Sequence, residues 1–175
     1  GKLTVTFPKS VGQIPFNFPH KPSSQIDGGK NPGTKGDMSR VNGALYPFGY
    51  GLSYTTFEYS DINISPKVIT PNQKVQVRCK VTNTGKRAGD EVVQLYVSAP
   101  DAADANKPEK ELKAFAKTKE LKPGEATVVT LKVSAADLAS YDEAASAWVV
   151  APGNYKFLVG ASSRDIKATL EAEVA

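Results

Sequence analysis

The 175-residue chain holds a single cysteine, Cys79, a single histidine, His20, a single methionine, Met38, and a single tryptophan, Trp148. One cysteine excludes an intramolecular disulfide, and with one histidine beside it a Cys/His zinc site cannot be assembled. The same cysteine does not choose between a reducing and an oxidising compartment. No apolar run approaches the length of about 18 residues that a membrane-spanning helix needs, and Gly1-Lys2 does not open a signal peptide. The missing initiator methionine suggests a piece of a longer protein. Charge of one sign is also scarce, with 22 basic residues against 18 acidic ones and a net charge of +4. No basic stripe interleaved with aromatics occurs, so the charges read as a solvated surface and nucleic acid is not an expected partner. Nothing in the composition calls for a cofactor.

What is present is a period of two. Val75, Val77, Cys79 and Val81 alternate with Lys74, Gln76, Arg78, Lys80 and Thr82, the pattern of an antiparallel strand with one face on a core. Cys79 then counts as a small core hydrophobe. The alternation recurs in Val93/Leu95/Val97, Val129/Leu131/Val133, Tyr155/Phe157/Val159 and from Ile166 to Val174. Tyr59 to Ile64 and Leu112 to Lys119 are fainter strands that bring the number to seven. Turn sequences separate them at Asn83-Thr84-Gly85, Ala88-Gly89-Asp90, Lys122-Pro123-Gly124-Glu125 and Ala151-Pro152-Gly153-Asn154. A helical turn is expected over Ser134 to Ser140, where Ser134 and Asp137 have capping-box spacing. Seven such strands in about 115 residues predict an all-β, immunoglobulin-like or fibronectin type III-like antiparallel sandwich. Tyr155 after Pro152-Gly153 has the placing of a tyrosine corner.

The first 60 residues differ. Leu3, Val5 and Phe7 alternate as one strand with no evident partner, and residues 8 to 50 carry six prolines and no sustained period. A structureless connection of that length exceeds the roughly 12 to 15 residues usual in a compact domain. It is also too aromatic for a solvated linker, since nine of the chain's 15 aromatic residues lie in the first 60 positions. These rings must be buried against something. Residues 1 to 55 are therefore expected to be the tail of a preceding domain plus a packed crossover, and residues 56 to 175 the sandwich.

Candidate chemistry is sparse. Ser10, His20 and Asp27 could be arranged as a triad, but no nucleophile-elbow sequence surrounds the serine, and His20 reads better as a loop residue near a ligand or neighbouring domain. Gly28-Gly29-Lys30 and Gly33-Thr34-Lys35-Gly36 lack the spacing and the preceding strand of a phosphate cradle. Asn63-Ile64-Ser65 matches a glycosylation acceptor, a short pattern that recurs by chance. Glycoside cleavage needs two carboxyl groups about 5 to 9.5 Å apart. Asp27, Asp37, Glu58 and Asp61, the acids near the aromatic segment, read as surface acids. The aromatic cluster could stack on the apolar faces of sugar rings, with core packing as the plainer role. No stripe of exposed aromatics is evident on the sandwich strands.

Two stretches resemble a known family. Gly1 to Pro15, GKLTVTFPKSVGQIP, and Leu45 to Phe57, LYPFGYGLSYTTF, are similar to the C-terminal part of glycoside hydrolase family 3 enzymes, notably bacterial β-glucosidases. Val81 to Gly85, Gly89 to Val97 and Glu111 to Phe115 resemble that family's fibronectin type III-like domain. The resemblance implies a retaining glycosidase whose Asp nucleophile lies in an N-terminal barrel and whose acid/base lies in a following α/β domain, both upstream of Gly1. It makes Gly1 to Phe7 a late strand of that α/β domain. No catalytic residue is then expected in this chain, which should be inactive alone. Its partners would be the upstream barrel and α/β domains and the oligosaccharide substrate, and its location periplasmic or secreted. In relatives, residues of the intervening loop lie towards the substrate entrance; Asn17, His20, Lys21 and Arg40 are the nearest matches, with Tyr46 and Tyr50 beside them. Phe18-Pro19 before His20 and Val41-Asn42-Gly43 after Arg40 depart from the family pattern. A stand-alone carbohydrate- or protein-binding sandwich is the alternative.

Overall fold

The computed structural model describes residues 1–11, 17–20, 43–100 and 107–175. Lys21 and Arg40, Asp27 and Asp37, and both glycine-lysine loops lie outside the described residues.

In chain order the strands are β1 (Phe7–Pro8), β2 (Ala44–Tyr46), β3 (Phe57–Ser65), β4 (Val68–Ile69), β5 (Lys74–Asn83), β6 (Val92–Ser98), β7 (Glu111–Lys117), β8 (Ala126–Ser134), β9 (Ser140–Asp142), β10 (Ala147–Val149), β11 (Gly153–Gly160) and β12 (Ile166–Val174). Seven of them, β3, β5, β6, β7, β8, β11 and β12, are the strands that alternation predicts. Together with the short β4 they form two sheets, β3-β5-β8 and β4-β12-β11-β6-β7. That division matches a fibronectin type III-like sandwich. β3 is faint in the sequence because its pairing with β5 slips between Ser60 and Asn63, where Asp61 takes a φ of 49° and the alternation breaks.

The core lies between the sheets. Val75, Val77, Cys79 and Val81 of β5 face Leu95, Phe157 and Val159 of the other sheet, all buried. Cys79 is 1% exposed, and burial pushes its thiol up to about 11. Burial also raises the Tyr96 hydroxyl and, together with the nearby Glu91 charge, the Tyr59 hydroxyl. In each case the fold prefers the neutral form, so the unfolded chain ionises first. Stability contributed by Cys79 is therefore complete below about pH 9 and lost as the pH rises towards 11. Urea midpoints measured between pH 7 and 11 should fall over that window, and Cys79 should resist a thiol reagent at pH 8 until the chain unfolds.

Local signals explain the ends of strands. Ser134 caps a 3-10 turn at Ala135–Leu138: its hydroxyl accepts from Ala136 N–H, and Asp137 accepts from Ser134 N–H in return. The Tyr155 hydroxyl donates to the Ala151 carbonyl at 2.9 Å, the predicted tyrosine corner. Tyr155→Phe should cost about 1 kcal/mol in urea unfolding with an unchanged m-value.

The unpaired N-terminal strand is corrected by the structure. Strand geometry is confined to Phe7–Pro8, and it finds a partner within the chain, with Phe7 opposite Tyr46 on β2. The β9–β10 hairpin and the parallel pairing of β4 with β12 have no counterpart in the sequence reading. Elements of two or three residues are too short to show a period.

Candidate functional site

The aromatic N-terminal region does not hang from the sandwich. It is held at one end of β6 and β11 by a buried polar knot. By alternation Gln94 and Tyr96 belong to the outer face of β6, yet both are buried. Gln94 Nε2 donates to the carbonyls of Gly49 at 3.0 Å and Ala161 at 2.8 Å, while the Tyr96 hydroxyl donates to Gln94 Oε1. One amide side chain thus ties the arm to β6 and to the loop after β11. Ser163 N–H donates to the Phe48 carbonyl, Leu3 N–H to Tyr50 and Gly49 N–H to Leu3. The arm satisfies its backbone on the sandwich and on itself, as a buried segment must.

Gly49 is dictated twice. Its φ is +77°, and a Cβ there would drive into the Gln94 side chain. Gly51 is required by close approach, since a Cβ would meet the Gly1 carbonyl. The Phe48-Gly49-Tyr50-Gly51 text is therefore a docking sequence.

Charge fastens the first residues. Lys2 Nζ lies 2.9 Å from Glu91 Oε1 and donates to the Ala161 carbonyl at 3.1 Å. Both side chains are largely buried, so the pair is shielded from water and its loss would leave one charge stranded.

A second knot sits under the Thr55-Thr56 end of the arm. Asn83, fully buried at the end of β5, donates from Nδ2 to the carbonyls of Arg87 and Leu121. Its Oδ1 accepts from the Thr55 hydroxyl and Gly85 N–H. All the amide's polar capacity is used, which a buried amide requires.

The rings form two groups joined by the chain from Tyr46 to Tyr50. Phe18 stacks on Phe48 at 4.6 Å and meets Tyr96 and His20 edge-on. Tyr46 stacks on Tyr50 at 5.2 Å and meets Phe7 edge-on. Of the sequence-predicted site residues, Tyr46 and Tyr50 are thus in contact, and His20 belongs to the neighbouring group, where its carbonyl accepts from Glu109 N–H. Tyr46, Phe7 and Val5 remain exposed, as do Leu52 and Tyr54. The arm therefore presents an apolar outer surface. Glu58 and Asp61 lie on β3, both exposed, with Asp61 3.7 Å from Lys80. Among the described residues no three His, Cys, Asp or Glu side chains gather as a metal site. No described helix is long and apolar enough to cross a membrane.

Sequence reasoning missed Gln94, which carries the docking, and Asn83, which ties the end of β5 to Leu121, Arg87 and Thr55. The signal available for Gln94 was its neighbour, since a Tyr two positions on at an outward register is a large ring in need of cover.

Comparison with known proteins agrees with this geometry. A fibronectin type III-like domain family matches residues 91–163. The chain is 38% identical over 169 residues to a periplasmic β-glucosidase of Salmonella typhimurium, covering 95% of this chain and 22% of that protein. It is 41% identical to thermostable β-glucosidase B of Acetivibrio thermocellus, again over 95% of this chain and 22% of that one. Among solved structures, a Listeria innocua β-glucosidase in complex with glucose superposes on all of this chain with a TM-score of 0.83 and 33% identity, using 24% of its own length. The chain thus spans about a fifth of the length of the relatives it matches.

Proposed function

Since the chain belongs to glycoside hydrolase family 3 and carries that family's fibronectin type III-like domain, we propose that it is the C-terminal accessory region of a β-glucosidase-type enzyme. In this reading the whole protein hydrolyses terminal non-reducing β-D-glucosyl residues, and this region buttresses its catalytic domains. The observation that carries the proposal is the docked arm. The likeness to β-glucosidases runs through arm and sandwich alike, and the arm is locked to the sandwich on one side while exposing Val5, Phe7, Leu52 and Tyr54 on the other. An apolar surface of that kind is suited to cover by another domain. Residues 1–55 then act as the link to the α/β domain and residues 56–175 as the support. The nucleophile and the acid/base belong to the other domains, and a periplasmic or extracellular location follows the periplasmic relative.

The test is turnover of an aryl β-D-glucoside. The longer protein should hydrolyse it and the 175-residue chain should show no rate above buffer; turnover by the chain alone would refute the reading.

His20, Lys21, Arg40, Tyr46 and Tyr50 are proposed to lie beside the substrate entrance, where Tyr46 and Tyr50 offer stacked rings to an outer sugar. In the longer protein, Arg40→Ala and Tyr46→Ala should each raise KM for a disaccharide by about tenfold, a loss near 1.4 kcal/mol. Unchanged disaccharide kinetics in both variants would remove these residues from the site.

A further inference from the structure

Tyr141 and Trp148 stand directly opposite each other on the β9–β10 hairpin. Their rings meet edge to face at 5.7 Å and 72°, and they are 54% and 72% exposed. The pair lies on a separate two-stranded sheet rather than on the sandwich strands, which show no such stripe in the sequence. The hairpin is well defined locally. Asp142 Oδ1 accepts from the N–H groups of Ala144 and Ala145, Ser146 N–H donates to the Glu143 carbonyl, and Ser146 takes the positive φ that closes the turn. Two large rings therefore stand proud of a fixed ribbon, where covering them with a flat apolar face would remove much exposed surface from water.

Charge and position narrow what that cover is. Asp142 and Glu143 are the charged residues of 140–149, so the hairpin is negative and repels a polyanion. A neutral pyranose suits it better, offering an apolar C–H face to the two rings and no negative charge to the hairpin. The hairpin also lies away from the docked arm. The arm is held beside Gly160 to Ser163, at the end of β11, whereas β10 leads into its beginning at Gly153. The eight residues of β11 separate the two ends by roughly 25 Å.

We propose that Tyr141 and Trp148 form a stacking platform for a neutral β-glucan chain, at the end of the sandwich remote from the arm. The choice of β-glucan rests on the β-glucosidase reading; the platform itself rests on the hairpin.

Trp148 is the chain's own reporter, because no other tryptophan contributes to its fluorescence. Titrating the 175-residue chain with cellohexaose and with a soluble mixed-linkage β-glucan should shift its emission saturably, with a Kd of about a millimolar or below. Tyr141→Ala should weaken binding by about tenfold, whereas Tyr141→Phe should bind as the parent does. In gels cast with the glucan, Trp148→Ala should lose the retardation shown by the parent chain. All three variants should unfold at the parent's midpoint, since the rings are exposed. No emission shift, or affinity indifferent to Tyr141→Ala, would overturn the proposal. So would a concentration-dependent dimer abolished by Trp148→Ala, which would assign the pair to a second copy of the chain. Hydrolysis of a small aryl glucoside by the longer protein should not change in Trp148→Ala. Absence of that hydrolysis in the parent would count against the β-glucosidase reading and leave the binding result standing.

Discussion

Replacing Gln94 by alanine should cost about 3 kcal/mol of folding free energy, because it strands several buried partners at once. The Gly49 carbonyl loses its side-chain donor, the Ala161 carbonyl keeps Lys2 alone of its two side-chain donors, and the Tyr96 hydroxyl loses its acceptor, all in a region sealed from water. For a chain of this size the melting temperature should fall by roughly 6 to 12 °C. The loss should be uneven. The arm depends on this side chain and the sheets do not, so limited proteolysis should cut the variant after Phe48 or Tyr50 while the sandwich from Phe57 onward survives. Gly49→Ala should reproduce the proteolytic pattern with Gln94 intact, because a Cβ at φ +77° is both strained and in the way of the amide. If Gln94→Ala melts like the parent, the knot does not hold the arm.

Asn83→Ala should be about as costly, again near 3 kcal/mol, but through a different route. Asn83 joins the β5 end to Leu121, Arg87, Gly85 and Thr55, so its loss opens the sandwich itself. The urea midpoint should fall without selective cleavage of the arm. Asn83→Asp should be no rescue, since the carboxylate keeps the acceptor but loses both donors to the Arg87 and Leu121 carbonyls and places a charge in a buried site. An Asn83→Asp variant as stable as the parent would contradict this account of the residue.

The contrast between these residues and the strands shows what was legible in the sequence. The core face of β5 was readable because Val75 to Val81 repeat every second residue and one face alone is buried. β6 was readable only by half. Val93, Leu95 and Val97 declare the inner face, but the strand is buried on both, because the arm covers Gln94 and Tyr96. The cover comes from residues 46–50, some 45 positions earlier, and local periodicity carries no information about a contact that distant. Asn83 was hidden for a related reason. A polar residue in Asn-Thr-Gly text signals a turn, and only the fold brings the Leu121 carbonyl and the Thr55 hydroxyl to it. The aromatic excess of the first 60 residues demanded burial, and it is met within the chain only in part, by Phe18 on Phe48 and Tyr96, while Phe7, Tyr46 and Tyr54 stay exposed. The Tyr141–Trp148 pair escaped notice because three-residue strands give no alternation.

Residues 1–11 and 43–56 are, in this account, part of one folded unit with the sandwich. Hydrogen exchange at the amides of Leu3, Gly49 and Ser163 tests that most directly, since each N–H is bonded across the docked arm. The account predicts protection comparable to the β6 and β11 amides in the parent chain, lost at Leu3 and Gly49 in Gln94→Ala while β6 and β11 remain protected. Exchange of Leu3 and Gly49 at free-peptide rates in the parent would contradict it.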